Sequence, residues 1–283
     1  MEPVPATTEL LCLYVAHLAK RLKPDSIKQY LNVVRILHVE CGFPNPCEDN
    51  YHLKSTLKGI ERVKGNPVTR KVPVTPDLLM QMWVYLDFSS VCDVMFWAAA
   101  MVMFFCTLRK SNLFPNSKQS FDVQRHFVRS DFLILSDCMC VTIKWTKTNQ
   151  FQRKKGHVTL QRSPHILCPV TAVDKAFKVC KLGEDAPAFV CDVIGTPMTG
   201  QCFTCKFKCL VEKCGLDPKG FASHSFRRGS ATWAMQCGVP SDMIKIMGDW
   251  SSNCYQNYVD QIPVKTQDHY RNVLLRHLPH GVQ

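Results

Sequence analysis

At 283 residues the chain can bury a substantial core, enough for one large domain and a smaller one, and its 46% hydrophobic content argues against a disordered polypeptide. Lys and Arg total 35 against 23 Asp and Glu, and this net charge of +12 favours a polyanionic partner, nucleic acid first. The longest apolar run, Val94 to Leu108, falls short of the roughly 20 residues that span a bilayer, so it reads as a buried core helix and no membrane partner is expected.

Sixteen cysteines would suit a secreted disulfide scaffold, but the opening MEPVPATTE has no signal-peptide pattern and the cysteines lie scattered, many in apolar runs. They read as reduced, buried small hydrophobes of an intracellular protein. The single C-x-x-C, Cys202 to Cys205, continues to Cys209 and Cys214. A zinc-binding module would need a second closing pair, and the same spacing is also the core face of a helix.

Residues 7–22 place apolar side chains at helical period behind a Thr N-cap. Pro24-Asp25-Ser26 opens a second helix stopped by Gly42, and a third runs over 51–64. Lys20, Arg21, Lys28 and Arg35 lie outside the apolar stripes: a solvated face in the plain reading, phosphate contacts if the chain grips DNA. Residues 66–76 carry prolines without hydrophobic periodicity and read as a linker, giving a helical domain over 1–65 and a larger one over 77–283.

Beyond the linker, a helix near 76–87 and the run 94–108 lead into CTLRKSNL. Period then changes: DFLIL, a Ser136-Asp137 turn, CMCVTIKW and, after a basic turn containing Arg153, HVTLQ read as three strands. Helices follow Pro169 and Pro197. The stretch HSFRRGSATWAMQCGVPSDMIKIMGDWSSNCYQNYV sets His224 and Arg227 three residues apart, on one face of a helix. A turn at Gly248-Asp249 brings Trp250, and Tyr258 stands eight residues later.

These residues resemble the signature of the tyrosine recombinases, the phage-integrase family: an H-x-x-R pair, a G-x-H/W position and a Tyr some eight or nine residues on. CTLRKSNL is similar to the family's G-x-R-x-S-E-L box, with Thr107 for the Gly, Asn112 for the acid and Arg109 as the first catalytic arginine. WTKT resembles the lysine box and makes Lys147 the catalytic lysine, with Lys144 as rival. The "RRG" after the pair, and Trp250 where phage enzymes mostly have His, look most like recombinases of eukaryotic transposons and tyrosine-recombinase retrotransposons.

The resemblance implies a mainly α protein: a small helical core-binding (SAM-like) domain plus a larger α+β catalytic domain with a three-stranded sheet. The family's core-binding domain usually begins with a further helix, for which Met1 leaves little room. It implies double-stranded DNA as partner, a homo-tetramer on paired sites, a nuclear location, DNA-contacting Arg153 and Arg228, and no cofactor.

Two guanidinium groups, Arg109 and Arg227, would offset the charge of a pentacoordinate phosphorus without a metal. Tyr258 would attack and His224 would take its proton or hold a phosphate oxygen. Trp250 can donate one N–H but cannot act as acid or base, and Lys147 would protonate the departing 5′ oxygen. The 3′-phosphotyrosine stores the bond, so ATP is not required.

Taken singly, each of these residues has an ordinary structural role; their joint order and spacing carry the reading. Tyr255, one helical turn from Tyr258, competes for the nucleophile's place. A catalytically silent DNA-binding protein of mobile-element origin, and a type IB topoisomerase, remain alternatives.

Overall fold

The computed structural model describes residues 4–65, 70–146 and 156–250. The chain divides into two compact units, Met1–Arg70 and Lys71–Gln283.

The first unit holds α1 (Thr8–Ala19), α2 (Pro24–Glu40) and α3 (Tyr51–Lys64). Thr7 Oγ1 accepts the Leu10 N–H at 3.2 Å, and Asn50 Oδ1 accepts the Leu53 N–H at 3.0 Å, so α1 and α3 begin on side-chain caps. Pro24 starts α2, where its missing N–H costs nothing, and Gly42, at φ +80°, ends it. Leu11, Val15, Ile27, Leu31 and Leu53 form the core. Buried His38 is satisfied on both ring nitrogens: Nε2 accepts the Ala6 N–H and Nδ1 donates to the Val34 carbonyl, each at 2.8 Å.

The second unit contains α4 (Pro76–Val84), α5 (Val91–Phe105), α6 (Lys110–Leu113), β1 (Phe132–Ile134), β2 (Cys138–Ile143), β3 (Gly156–Gln161), α7 (Pro169–Val179), α8 (Gly200–Lys213), α9 (His224–Gln236) and α10 (Ser241–Met247). The sheet is antiparallel in the order β1-β2-β3, with Phe132 opposite Val141 and Val141 opposite Val158. Helix α5 is buried on every side from Asp93 to Phe104, which is why its sequence is apolar throughout rather than amphipathic. Its one buried carboxylate, Asp93, pairs with Lys206 at 2.6 Å. Phe203 of α8 stacks between Phe96 and Phe114, with centroids 4.9 and 4.8 Å away.

The expected helix over 76–87 ends at Val84. The expected linker is shorter at its C-terminal end, because residues 71–75 pack within the second unit. The Val72 N–H donates to Gly220 O and the Val74 N–H to Ser225 O, each at 2.9 Å. Val74 is fully buried. Its hydrogen bonds lie more than a hundred residues away in sequence, beyond the reach of local patterning.

Candidate active site

The site begins at the sharp turn between α5 and α6. Thr107 has φ +53°, a left-handed conformation that a β-branched residue rarely adopts. Its hydroxyl meets Ser230 Oγ of α9 at 2.8 Å, which ties the turn down. The turn delivers Arg109 to the N-cap of α6, half-buried, and none of the ion pairs among the described residues involves it.

Asn112 fixes the same turn. Its Oδ1 accepts the Arg109 N–H at 3.0 Å, and its Nδ2 donates to the Trp145 carbonyl at 2.7 Å. An acidic residue at this position would keep the first bond but lack the donor for the second.

His224 opens α9, and Arg227 and Arg228 follow in its first turns. The His224 ring has an exposed edge, yet its pKa is lowered, by desolvation first and then by the charges of Arg227, Arg109 and Arg228. These groups therefore share one electrostatic neighbourhood, in which the charged form of the imidazole is disfavoured.

Arg227 is only 2% exposed. Its Nη1 donates to the Thr107 carbonyl and its Nη2 to the Gly248 carbonyl. The guanidinium lies 4.1 Å from the centroid of the Trp250 ring. Each terminal nitrogen carries a second N–H, but the group is a clamp between the α5–α6 turn and the α10 C-terminus rather than an open fork.

Trp250 is buried on Ala231 and Ile244. A Cβ on Gly248 would lie 1.8 Å from its Cζ3, so only glycine lets the indole fold back over Arg227. Asp249, at φ +50°, makes the reversal.

Gly229 serves a similar end: a Cβ there would lie 1.8 Å from the Val74 carbonyl oxygen. The structure thus adds Ser230 and Gly229 to the residues that build the site and gives Thr107, Asn112 and Gly248 their contacts. The glycines are visible in the "RRG" and "GDW" stretches, but nothing local says which backbone or ring approaches them.

Other expected residues sit differently. Arg228, one residue after Arg227, is 5% exposed, where a surface side chain was expected. Lys28 is engaged by Glu61 at 2.6 Å and Asp25 at 3.7 Å, so its charge is already opposed. Arg35 is exposed, with Nε on Asn32 Oδ1 at 3.0 Å, and Lys20 and Arg21 are exposed.

Lys144 pairs with Asp131 at 2.7 Å, both largely buried. Lys144 thereby holds the end of β2 to the turn before β1. Lys147, Arg153, Tyr255 and Tyr258 lie outside the described residues. Among the cysteines of the C-x-x-C run, Cys205 and Cys209 face solvent on α8 while Cys202 points to Cys191.

No family model matches the chain. Over 273 residues it is 23% identical to the integrase/recombinase XerD homolog of Selenomonas ruminantium, covering 91% of this chain and 74% of that protein. Its fold aligns with the Tn1549 transposon integrase in complex with transposon right-end DNA at a TM-score of 0.63, 14% identity, 97% of this chain and 87% of the other. It aligns with the XerH site-specific recombinase bound to a palindromic difH substrate at 0.60, 13% identity, 94% and 69%. The chain shares the fold of these recombinases. Mainly helical, with one small antiparallel sheet, it matches the fold class expected from the sequence.

Proposed function

We propose that the chain is a tyrosine recombinase that cleaves and rejoins double-stranded DNA at specific sites through a 3′-phosphotyrosine. The observation that carries this reading is the convergence of Arg109, His224, Arg227 and Trp250, drawn from three separated stretches of sequence, around the α5–α6 turn. The XerD homolog supports it in sequence, and the net charge of +12 suits the partner.

In this reading the Tyr258 oxygen bonds to phosphorus while the bond to the 5′ oxygen breaks. The phenolic proton passes to neutral His224, and Lys147 protonates the leaving oxygen. Arg109 offers its donors to the phosphate, and Arg227 adds positive charge from a fixed, desolvated position. Trp250 holds that guanidinium in place. The engagement of Lys144 by Asp131 supports Lys147 as the acid. Strand exchange between two duplexes calls for a homo-tetramer, and the Trp250 variant of the signature favours a eukaryotic mobile element acting in the nucleus.

The burial of Arg227 favours a second reading, a catalytically silent DNA-binding protein. One assay separates the two. With a nicked duplex that traps the covalent intermediate, the native chain is expected to give a denaturation-resistant adduct. Tyr258→Phe should lose that adduct and keep DNA binding. Absence of adduct from the native chain, with binding intact, supports the silent protein; loss in Tyr255→Phe instead moves the nucleophile to Tyr255.

A further inference from the structure

Away from the phosphate-facing residues, two thiols stand together where the 189–198 loop meets the first turn of α8. Cys191 Sγ and Cys202 Sγ are 3.5 Å apart, and both residues are partly exposed. The loop that carries Cys191 is held as a tight reversal: the Cys191 N–H donates to the Thr196 carbonyl at 2.9 Å, and Met198 N–H to Phe189 O at 3.0 Å. Cys202 is the third residue of α8, whose N-cap Thr199 accepts its N–H at 3.1 Å. Both backbones are thus fixed, and the thiols face one another without any rearrangement.

We propose that Cys191 and Cys202 form a dithiol that small-molecule disulfides convert reversibly to an intramolecular disulfide. The thiols differ in role. Burial, followed by the bond to Cys202, pushes the Cys191 thiol up to about 12, and either sulfur can donate in the contact between them. Cys202 is the attacking sulfur by its place in the first turn of α8, the helix end whose N–H dipoles favour an anion.

The Cys202 sulfur, giving up its proton, bonds to one sulfur of the small disulfide and expels the other as a thiol. Cys191 then loses its proton and attacks Cys202 Sγ, releasing the second small thiol. Two protein thiols are oxidised and one disulfide is reduced to two thiols. Closure requires the sulfurs to move from 3.5 Å to the bonded distance of about 2.05 Å. Lys118 acts on Cys191 against the effect of burial, but more weakly than burial does.

Cys92 is the natural rival, since it also lies beside Cys202, which together with burial raises the cost of ionising Cys92. The same turn of α8 holds the end of α6: Gly200 N–H donates to Pro115 O at 3.0 Å, and a Cβ on Gly200 would lie 2.9 Å from Lys110 Cδ. The dithiol is therefore built into the support of the helix that starts at Arg109.

The test is exposure of the folded full chain to oxidised glutathione, alkylation of remaining thiols, and peptide mass mapping. The expected product is a cross-linked pair of peptides carrying Cys191 and Cys202, two hydrogens lighter than the reduced pair and restored by dithiothreitol. Cys191→Ser should abolish the cross-link and leave glutathione attached to Cys202, with Cys202→Ser as the reciprocal variant and circular dichroism to show that both fold. No cross-link in the native chain, a Cys92–Cys202 cross-link, or glutathione attached to Cys191 in Cys202→Ser as readily as to Cys202 in Cys191→Ser overturns the proposal.

Discussion

The two lysines of the β2 segment show how much one contact decides. Read as sequence, the resemblance of WTKT to the lysine box favours Lys147, and Lys144, three residues earlier, stays as its rival. In the structure Lys144 donates to the Val123 carbonyl at 2.5 Å and pairs with Asp131, whose other role is to accept the Val128 N–H at 2.8 Å. Removing its charge leaves a buried carboxylate without its counter-ion, so Lys144→Met should cost on the order of 3 kcal/mol in chemical denaturation. Lys147→Ala should leave the denaturation midpoint within about 0.5 kcal/mol of native and slow adduct formation. The opposite pattern would return Lys144 to the chemistry. His224 gives a pH test. Its folded pKa is depressed, by desolvation first and the three arginines next, so the unfolded chain binds the proton first. Stability from this group is fully present above the unfolded value of about 6.5 and falls as pH drops through that value toward the folded one. An NMR titration should find the ring's midpoint below that of free histidine, rising when a phosphodiester duplex binds. A midpoint at or above the free value would remove the imidazole from the arginine cluster.

At the scale of elements, most of the fold could be read from local pattern. A capped amphipathic stretch gave α1, the stretch after a proline-broken turn gave α3, proline starts gave α2 and α7, and alternation with a short turn gave the β1–β2 hairpin. The long apolar run is α5, whose uniform hydrophobicity follows from burial on every side. What escaped was the join between distant segments. The 71–75 strand-like piece looks like linker because its partners, Gly220 and Ser225, belong to another part of the chain. Arg109, His224, Arg227 and Trp250 were picked out by order and spacing, but the bonds that hold Arg227 shut were not, since carbonyl acceptors leave no mark on residue identity. Gly229 tests this close approach directly. In Gly229→Ala the new methyl meets Val74 backbone, which has no rotamer to escape into, and a loss of several kcal/mol is expected, in the range of overpacked cores and above. Gly59→Ala is the control. It lies on an exposed face of α3 with nothing within 4 Å of the added Cβ, so the chain should gain about 0.5–1 kcal/mol. Equal effects at the two glycines would mean that α9 and the 71–75 segment are not in contact.

For the molecule as a whole, the question is which of its 35 basic side chains are available to a polyanion. Net charge overstates the answer. Lys28, Lys54, Lys144, Arg162, Lys178 and Lys206 already oppose carboxylates, and Arg227 and Arg228 are buried. Within the first unit, Lys20 and Arg21 are exposed and take part in none of the ion pairs among the described residues, whereas Lys28 bridges α2 to Glu61 of α3. Each cation that displaces a condensed counterion from a duplex contributes about 0.9 to the slope of log affinity against log salt. Lys20→Ala and Arg21→Ala should therefore each reduce the slope by about 1 where they touch phosphate, with affinity falling similarly for any DNA sequence. Lys28→Ala is expected to leave the slope nearly unchanged, because its charge is already opposed, although the freed Glu61 weakens binding slightly through repulsion. Fluorescence anisotropy of a labelled duplex over a series of salt concentrations reads all three. A slope that falls by a full unit in Lys28→Ala and stays fixed in the other two would mean that the Glu61 bridge opens on DNA, and that this face of the first unit meets phosphate through α2 rather than through the end of α1.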